Sequence, residues 1–143
     1  MTDSYEMLKL DRQLCFPLYA VSREIVKKYK PYLDEIGLTY TQYITMMVLW
    51  EDRRILIKDL GARLFLDSGT LTPVLNMLEK KGLVIRQRSE TDKRDMYAVI
   101  TNSGMALREP ASGIPARLGA CLPVSPEDAM TLYNILHQML DRL

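Results

Sequence analysis

Two cysteines, Cys15 and Cys121, are the residues of this chain best suited to chemistry. A cysteine thiolate attacks peroxides and disulfides, and a cysteine sulfur can also ligate a metal. The two stand far apart in the sequence, so they do not form the disulfide framework of a small secreted protein. His137 is the only histidine, and one histidine with two distant cysteines lacks the spacing of a zinc site. We therefore expect no metal and no cofactor, and each cysteine needs its own explanation.

Length and composition describe one ordinary globular domain. The chain has 143 residues, of which 48% are hydrophobic and 26% are charged, and its formal net charge is +1. No apolar run is long enough to span a membrane, and the first ten residues lack the features of a signal peptide. We therefore expect a single domain over residues 1–143 that stays in the cytoplasm, where thiols are kept reduced, and that has no membrane partner.

The element that must carry Cys15 is a predicted first helix. Apolar residues between Leu14 and Ile25 recur at helical intervals and predict a helix within residues 8–30. This helix is expected to end before Pro31, because proline disfavours a helical conformation in the residue that precedes it. Pro17 also lies in this segment, so either the helix bends at Pro17 or Pro17 stands in its first turn.

Capping residues mark the helices that follow. Thr39 begins a second helix with the pattern of a capping box. A short helical pattern covers IKDLGARLFL, residues 57–66, and the next helix is capped by Asp67 or Ser68 and stopped by Gly82. Together these last two segments form a helix, a tight turn and a second helix.

The C-terminal part is helical with interruptions. Thr101 is a cap for one helix, and Ser125 is a cap for the final one. Between them, the prolines and glycines of 108–123 predict that no long regular helix forms there.

Two β-type runs, LVIRQR and MYAVI, flank the polar connector SETDKRD and predict a hairpin. From Lys80 to Arg94, six basic residues outnumber two acidic ones, which gives a local balance of +4 and leaves −3 for the rest of the chain. Helix, turn, helix and a basic hairpin form the layout of a winged helix-turn-helix. We therefore predict a mainly α fold with a small β-hairpin wing, whose segment 38–101 binds double-stranded DNA.

The residues expected to contact DNA lie at the start of the second helix of the pair and in the hairpin. Short hydroxyls suit phosphates or base edges, and cations suit phosphates. Taken singly, the hydroxyl residues also fit helix capping and the hairpin fits a solvated turn, but the combination favours DNA contact. The predicted set is Asp67, Ser68, Thr70, Thr72, Arg86, Arg88, Asp92, Lys93 and Arg94.

The stretch DSGTLTPVLNMLEKKGLVIRQRSETDKRDMYAVIT resembles the recognition helix and wing of the MarR class of bacterial repressors. Within that class, QLCFPLYA and YKPYLDEIGLTYTQY are similar to the organic hydroperoxide resistance regulators, and the resemblance runs from about Leu8 to Leu107. It implies that Arg94 reaches the minor groove while Asp92 orients it.

The same resemblance makes Cys15 the reactive cysteine and places Tyr29 and Tyr40 near it. Cys15 and Tyr29 are fourteen positions apart, which is about 21 Å along one continuous helix, so they cannot meet within it. Contact requires either a sharp bend in the chain or a second subunit whose first helix runs alongside. Tyr19, one turn after Cys15, is expected to complete the pocket.

The apolar first and last segments, 8–30 and 104–143, are the natural interface of a homodimer, and a DNA reader with two-fold symmetry needs a dimer. A phenol that donates to the cysteine sulfur would stabilise the thiolate, and oxidation by a peroxide gives a sulfenic acid that condenses with another thiol. The two-cysteine subclass of the family has its second thiol at the position of Cys121. Alternatively, Cys121 is a buried small hydrophobic residue and a small thiol caps the sulfenic acid.

Together these features predict a dimeric redox-sensing repressor and not an enzyme. It would bind an inverted-repeat operator while Cys15 is reduced and release DNA on oxidation by organic hydroperoxides, through a disulfide with Cys121 of the other subunit. One alternative is a MarR-class repressor released by an aromatic small molecule, with Cys15 passive. Another is a thiol peroxidase, in which Cys15 is catalytic and the basic hairpin is incidental.

Overall fold

The computed structural model describes residues 4–143, which form eight α-helices and one three-stranded antiparallel sheet. The helices are α1 (Cys15–Asp34), α2 (Tyr40–Asp52), α3 (Ile57–Leu64), α4 (Ser68–Lys80), α5 (Asn102–Ala106), α6 (Arg108–Ala111), α7 (Ile114–Gly119) and α8 (Pro126–Leu140). The strands are β1 (Arg54–Leu56), β2 (Val84–Arg88) and β3 (Met96–Ile100). The predicted fold class, a mainly α winged helix-turn-helix, is confirmed.

The first helix begins later than its hydrophobic pattern predicts. Two 3₁₀ turns, Glu6–Leu8 and Leu10–Arg12, precede α1, which starts at Cys15. Pro17 is therefore the third helical residue, where a backbone N–H would have no partner within the helix, so the proline removes no helical hydrogen bond. Of the two alternatives for Pro17, the first turn is correct, and a bend in the helix is not needed.

The first helix also continues past its predicted end. Pro31 lies inside α1, which runs on to Asp34, so the prediction that the helix ends before Pro31 is wrong. The proline removes one helical hydrogen bond, but the additional turn carries Leu33 into the core, where it is 2% exposed. Burying a leucine contributes roughly 2 kcal/mol, which offsets much of that loss. Tertiary packing here overrides the local rule.

Side-chain caps explain where the helices of the DNA-binding unit begin. Thr39 and Gln42 form the predicted capping box, because the Thr39 hydroxyl accepts from the Gln42 N–H at 3.3 Å while the Gln42 side chain accepts from the Thr39 N–H at 3.1 Å. Asp67, rather than Ser68, caps α4, and its carboxylate accepts from the Thr70 N–H at 2.7 Å. These bonds satisfy amide groups that a helix leaves free at its start.

Three short helices, α5 to α7, occupy the segment after the sheet, as its helix breakers predict. Thr101 caps α5 by accepting from the Gly104 N–H, and Ser125 caps α8 by accepting from the Asp128 N–H, both at 3.1 Å. Both predicted caps are therefore confirmed. The chain changes direction several times before α8 begins.

The sheet has the order β1–β3–β2, so β3 is central. β2 and β3 form the predicted hairpin, with Val84 opposite Ile100, while β1 lies on the other edge of β3 with Ile55 opposite Ala98. β1 was not predicted, because three residues are too few to show the alternation of a strand. It joins the sheet because β3 offers a free edge beside the end of α2.

One hydrophobic core holds α2, α3 and α4 against the sheet and against α7. Its most deeply buried side chains include Met46, Leu49, Leu60, Leu75, Leu78, Val84, Ala98 and Ile114. By contrast, α8 has no buried residue, and α1 buries only Leu33. None of the helices over residues 4–143 is long and apolar enough to cross a membrane. The two longest helices thus contribute little to the core of a single chain.

Gly104 marks the closest packing between α5 and the sheet. A β-carbon added there would clash with the carbonyl oxygen of Leu83 and lie 2.7 Å from Ile100 Cγ1. We therefore expect Gly104→Ala to lower the free energy of unfolding by about 1–3 kcal/mol, measured by urea denaturation at a fixed protein concentration. Gly119→Ala is the control, because a β-carbon there meets nothing within 4 Å. An equal loss of stability in both variants would contradict the prediction.

Candidate redox site and DNA-binding surface

Cys15 is the first residue of α1, and its side chain is exposed. Leu14, directly before it, and Pro17, two residues after it, line a cavity of about 590 Å³. This cavity, the α1–α8 groove, lies between the two helices and reaches Tyr40 of α2. Its apolar walls include Leu14, Pro17, Leu18, Val21, Leu132 and Leu136. Cys15 therefore lies in sequence between two residues that line an apolar groove, and its own side chain is exposed.

Tyr29 and Tyr40 lie together but away from Cys15 of the same chain. Their ring centroids are 4.9 Å apart, and the ring of Tyr43 lies 5.7 Å from that of Tyr29. Because α1 is continuous from Cys15 to Tyr29, about 21 Å along its axis separates the two residues. Of the two routes to contact, a sharp bend in the chain is thus excluded, which leaves a second subunit.

The tyrosine cluster holds its phenols in the protonated form. Burial raises the pKa of Tyr29 to about 12, with smaller contributions from the neighbouring Tyr40 and Tyr43. Burial likewise raises the pKa of Tyr40 and of Tyr43. At neutral pH these hydroxyls are therefore hydrogen-bond donors, the form that stabilises a thiolate brought beside them.

Tyr19 lies one helical turn after Cys15, and Arg23 lies one turn further along the same face of α1. The Arg23 guanidinium donates to the Tyr19 hydroxyl at 3.4 Å, and its central carbon is 5.4 Å from the ring centroid. Tyr19 is nevertheless 58% exposed. The structure thus places Tyr19 on the Cys15 side of α1, with most of its ring uncovered in a single chain.

Cys121 lies in the turn between α7 and α8 and is exposed in the single chain, so it is not a buried hydrophobic residue there. Capping of the sulfenic acid by a small thiol stays an alternative. Its Sγ is 3.3 Å from the hydroxyl of Tyr32 on α1, and either atom can be the donor. Arg117 lies over the Tyr32 ring at 4.4 Å and pairs with Glu35 at 2.8 and 3.1 Å. The hydrogen bond to Cys121 raises the pKa of Tyr32. We call these four residues the Cys121 cluster.

The partners of Cys121 were not predicted from the sequence. Tyr32 stands 89 positions from Cys121, and it follows Pro31, where the first helix was expected to have ended. A contact between side chains so far apart leaves no trace in hydrophobic periodicity or in capping patterns. The one available signal was Tyr32 itself, a tyrosine close to the pair Tyr29 and Tyr40.

The start of α4 presents the three hydroxyls that were predicted to contact DNA. Ser68, Thr70 and Thr72 are all exposed. Asp67 is engaged in capping α4, and its hydrogen bonds from Thr70 lower the pKa of the Asp67 carboxyl. The structure therefore leaves the hydroxyls open to solvent and uses the aspartate to fix the start of the helix.

The connector between β2 and β3 holds its arginines by short polar contacts. Asp92 accepts from the backbone N–H of Arg94 at 3.0 Å, and the same carboxylate oxygen is 3.7 Å from Arg94 Nε. Arg88 donates to the carbonyl of Lys93 at 2.5 Å. The side chain of Arg94 is 94% exposed. The side chain of Arg94 thus extends from the wing, while Asp92 holds the backbone of Arg94 by a hydrogen bond.

Arg86 is engaged inside the protein. Its guanidinium donates to Glu79 Oε2 at 2.7 and 3.1 Å, and its backbone N–H donates to Oε1 at 3.3 Å. This arginine lowers the pKa of the Glu79 carboxyl. The observed contact ties α4 to β2, and a contact of Arg86 with DNA stays a prediction.

A second cavity, of about 380 Å³, connects α3, the start of α4 and the wing. Ser68 and Arg94 line it together with Lys58, whose ammonium is 3.8 Å from the carboxylate of Asp95. Lys58 was not predicted as a DNA contact, because it lies in α3, outside the recognition helix and the hairpin. It adds a cation at the junction of the predicted DNA-binding elements.

The raised pKa of Tyr29 makes the stability of the protein depend on pH in the alkaline range. An unfolded tyrosine ionises near pH 10, whereas folded Tyr29 ionises near 12. The contribution is therefore complete below pH 10 and is lost as the pH rises from 10 to 12. We expect the free energy of unfolding to fall over this interval by about 1 kcal/mol more in the wild type than in Tyr29→Phe, allowing for solvent screening of a half-buried ring. The free energy of unfolding of both proteins is measured by denaturation at pH 9, 10, 11 and 12. If it falls equally with pH in the wild type and in Tyr29→Phe, the prediction is wrong.

Comparison with known proteins places this arrangement in a family. The family described as Transcriptional regulator SarA/Rot matches residues 27–109. Over 143 residues, the chain is 43% identical to the organic hydroperoxide resistance transcriptional regulator of Bacillus subtilis (strain 168), with coverage of 100% of this chain and 97% of the relative.

The chain is also similar to solved structures of DNA-binding regulators. The structure of reduced AbfR bound to DNA matches with a TM-score of 0.78 and 34% identity, and covers 96% of this chain and 95% of that one. The structure of disulfide-formed AbfR matches with a TM-score of 0.62 at the same identity, covering 96% and 93%. AbfR is a protein of Staphylococcus epidermidis. The family and these relatives are transcriptional regulators and not enzymes, which removes the thiol peroxidase alternative. The chain thus belongs to the MarR-class winged-helix transcriptional regulators, in the family of the organic hydroperoxide resistance regulators.

Proposed function

We propose that the protein is a homodimeric, redox-sensing repressor that binds an inverted-repeat operator while Cys15 is reduced and releases it after oxidation by an organic hydroperoxide. The observation that carries this proposal is an exposed Cys15 at the start of α1, between Leu14 and Pro17, which line the apolar α1–α8 groove. The similarity of the chain to a relative named for organic hydroperoxide resistance also supports the proposal. So does its similarity to AbfR, which has been solved both reduced on DNA and as a disulfide.

The dimer follows from apolar surface that a single chain leaves uncovered. The exposed apolar side chains of α1, α8 and the residue before α1 include Leu14, Leu18, Val21, Met130, Leu132, Ile135 and Met139. A contiguous apolar surface of this extent is typical of an interface between proteins. A second copy offers the same surface, so a two-fold axis lets each α1 and α8 cover the other.

The same two-fold axis completes the sensor. Where two α1 helices cross in opposite directions, the start of one lies beside the later turns of the other. Cys15 of one subunit would then meet Tyr29 and Tyr40 of the partner subunit, which it cannot reach in its own chain. Tyr19 would close the pocket from the Cys15 side.

Oxidation begins at Cys15. Its thiolate attacks one oxygen of the hydroperoxide, the O–O bond breaks, the sulfur becomes a sulfenic acid, and the alkoxide leaves and takes up a proton to become an alcohol. The protonated phenols of Tyr29 and Tyr40 donate to the sulfur before this step. The apolar walls of the groove suit the alkyl group of an organic hydroperoxide.

A second thiol then converts this local change into loss of DNA. The thiolate of Cys121 of the partner subunit attacks the sulfenic sulfur, a disulfide forms, and the expelled hydroxide takes up a proton to become water. A disulfide needs α-carbons within roughly 7 Å, so the bond fixes the two subunits in a new relative position. The two recognition helices then no longer match two half-sites that lie about 34 Å apart.

The sensor role of Cys15 has a direct test. We expect cumene hydroperoxide to abolish operator binding by the wild type in a fluorescence-anisotropy titration and dithiothreitol to restore it, while Cys15→Ser keeps its affinity throughout. Cys121→Ala is the matched control for the covalent step: its Cys15 still forms a sulfenic acid that dimedone traps, but no covalent dimer appears on a non-reducing gel. A Cys15→Ser protein that still releases DNA would refute the sensor role, and a persistent dimer band in Cys121→Ala would refute the disulfide.

The side chain of Arg94 is 94% exposed, and we expect its guanidinium to bind DNA directly. We expect Arg94→Ala to weaken operator binding about tenfold or more, the usual effect of losing one arginine contact in a groove. Lys27→Ala on α1 removes the same charge from an exposed ion pair outside the wing and is the control. Equal affinities of the two variants at one salt concentration would contradict a specific role for Arg94.

One observation favours a second candidate function. The α1–α8 groove is large enough for a small aromatic molecule and is lined almost entirely by apolar residues, with the hydroxyl of Tyr40 at one end. In this alternative the protein is a MarR-class repressor released by such a ligand, with Cys15 passive. The Cys15→Ser protein keeps only the thiol of Cys121. If a phenolic compound releases DNA from this variant while Cys121 stays reduced and the mass of the protein does not change, the result would favour this alternative.

A further inference from the structure

The Cys121 cluster joins three parts of the chain at one point. Tyr32 and Glu35 come from the last turns of α1, Arg117 comes from α7, and Cys121 lies in the turn before α8. The cluster connects the end of α1, which the core holds through Leu33, to the turn that carries the second thiol. Its polar contacts are among exposed side chains, where each adds little to stability.

We propose that Tyr32 is a positioning residue for the second oxidation step, and that it holds Cys121 ready to attack the sulfenic acid formed at Cys15. This inference rests on the proposed function and extends it to a residue that neither DNA nor peroxide touches. The single chain already contains the arrangement, so each subunit brings a prepared thiol to the dimer.

The geometry gives the phenol a defined place beside the sulfur. The hydroxyl of Tyr32 is 3.3 Å from Sγ, a normal distance for a hydrogen bond to sulfur. When Cys121 loses its proton, the sulfur can only accept, so the phenol becomes the donor. A thiolate held in this way is the nucleophile that forms a disulfide.

Arg117 and Glu35 restrain the phenol. The guanidinium lies over the Tyr32 ring at 4.4 Å and is fixed by two hydrogen bonds to Glu35, which stands one turn after Tyr32 on α1. The backbone adds a further restraint, because the Cys121 N–H donates to the carbonyl of Leu118 at 2.9 Å. The ring is thus held on one face, and the sulfur is held by its own turn.

The chemical step is the one in which the disulfide forms. The Cys121 sulfur donates an electron pair to the sulfenic sulfur of Cys15 of the partner subunit, the S–O bond breaks, and hydroxide leaves and is protonated by solvent. Tyr32 keeps its own proton throughout. Its hydrogen bond to Cys121 breaks as the sulfur moves to its new partner.

The first experiment separates the two oxidation steps. One equivalent of cumene hydroperoxide is added to the reduced dimer, and rapid quenching follows the sulfenic acid by dimedone labelling and the disulfide by non-reducing electrophoresis. We expect Tyr32→Phe to form the disulfide about fivefold more slowly, the factor that one lost hydrogen bond gives, so that the sulfenic acid persists longer. Tyr97→Phe removes a hydroxyl from β3 and is the control. Equal rates of disulfide formation in Tyr32→Phe and Tyr97→Phe would overturn the inference.

The second experiment does not depend on peroxide sensing. In a Cys15→Ser background, Cys121 is the only thiol, and its alkylation by iodoacetamide reports its reactivity directly. A phenol that donates to the Cys121 sulfur predicts slower alkylation after Tyr32→Phe. A phenol that only shields the sulfur predicts the reverse, faster alkylation, and that result would overturn the inference.

The two proposals fail in different ways. If Cys15→Ser still releases DNA on oxidation, the proposed function fails whatever Tyr32 does. If both cysteines are needed for release but Tyr32→Phe changes neither the second step nor the alkylation rate, only the inference fails. Arg117→Ala gives a further check, because an unclamped Tyr32 should slow disulfide formation in the same direction.

Discussion

The fold depends on one constraint: a single chain cannot cover the apolar faces of its two longest helices. α1 buries only Leu33, and α8 buries nothing, although both helices carry rows of apolar side chains. The core is formed mainly by α2, α3, α4, the sheet and the short helices α6 and α7. The hydrophobic effect therefore acts on α1 and α8 only when another surface meets them. In the proposed dimer, that requirement and the assembly of the sensor are the same event, because Cys15 begins one of the two helices that need cover.

The DNA-binding unit, in contrast, is complete within one chain and internally tied. The Glu79–Arg86 pair joins the recognition helix to the wing, and the Trp50 indole donates to the carbonyl of Gly104 at 2.8 Å, which joins α2 to α5. A unit tied in this way moves as one body. In the proposed mechanism, operator binding would be lost when one whole unit shifts against the other, and a disulfide between the subunits would have that effect without unfolding either unit.

Local rules predicted the parts of the structure that local interactions determine. The caps at Thr39, Asp67, Thr101 and Ser125 were identified because a cap is decided by residues three positions apart. The predicted end of α1 was wrong, because the burial of Leu33 outweighs the rule for proline. That burial depends on tertiary packing, which local sequence patterns do not show.

The remaining differences between the predictions and the structure also come from contacts between residues that are distant in sequence. β1 depends on an edge of β3 more than forty positions away, and the contact of Tyr32 with Cys121 depends on how α1 and α7 pack. In the candidate site, the residue types were predicted from the sequence, but their partners were set by tertiary packing. Arg86 illustrates this, because its charge was recognised and its contact with Glu79 was not.

The two thiols differ in where their phenols come from, and this difference orders the proposed reaction. Cys121 has Tyr32 in its own chain at 3.3 Å, whereas Cys15 is separated from Tyr29 by the length of α1 and needs the partner subunit. In a chain without a partner, Cys121 would therefore already have Tyr32 as a hydrogen-bond partner, whereas Cys15 would lack Tyr29 and Tyr40. Peroxide would find no activated Cys15 until the dimer forms, and the sulfenic acid, once formed, would already face a thiol that is held in place. The proposed sensor thus responds only in the assembled state that also reads DNA, so sensing and binding are properties of the same species.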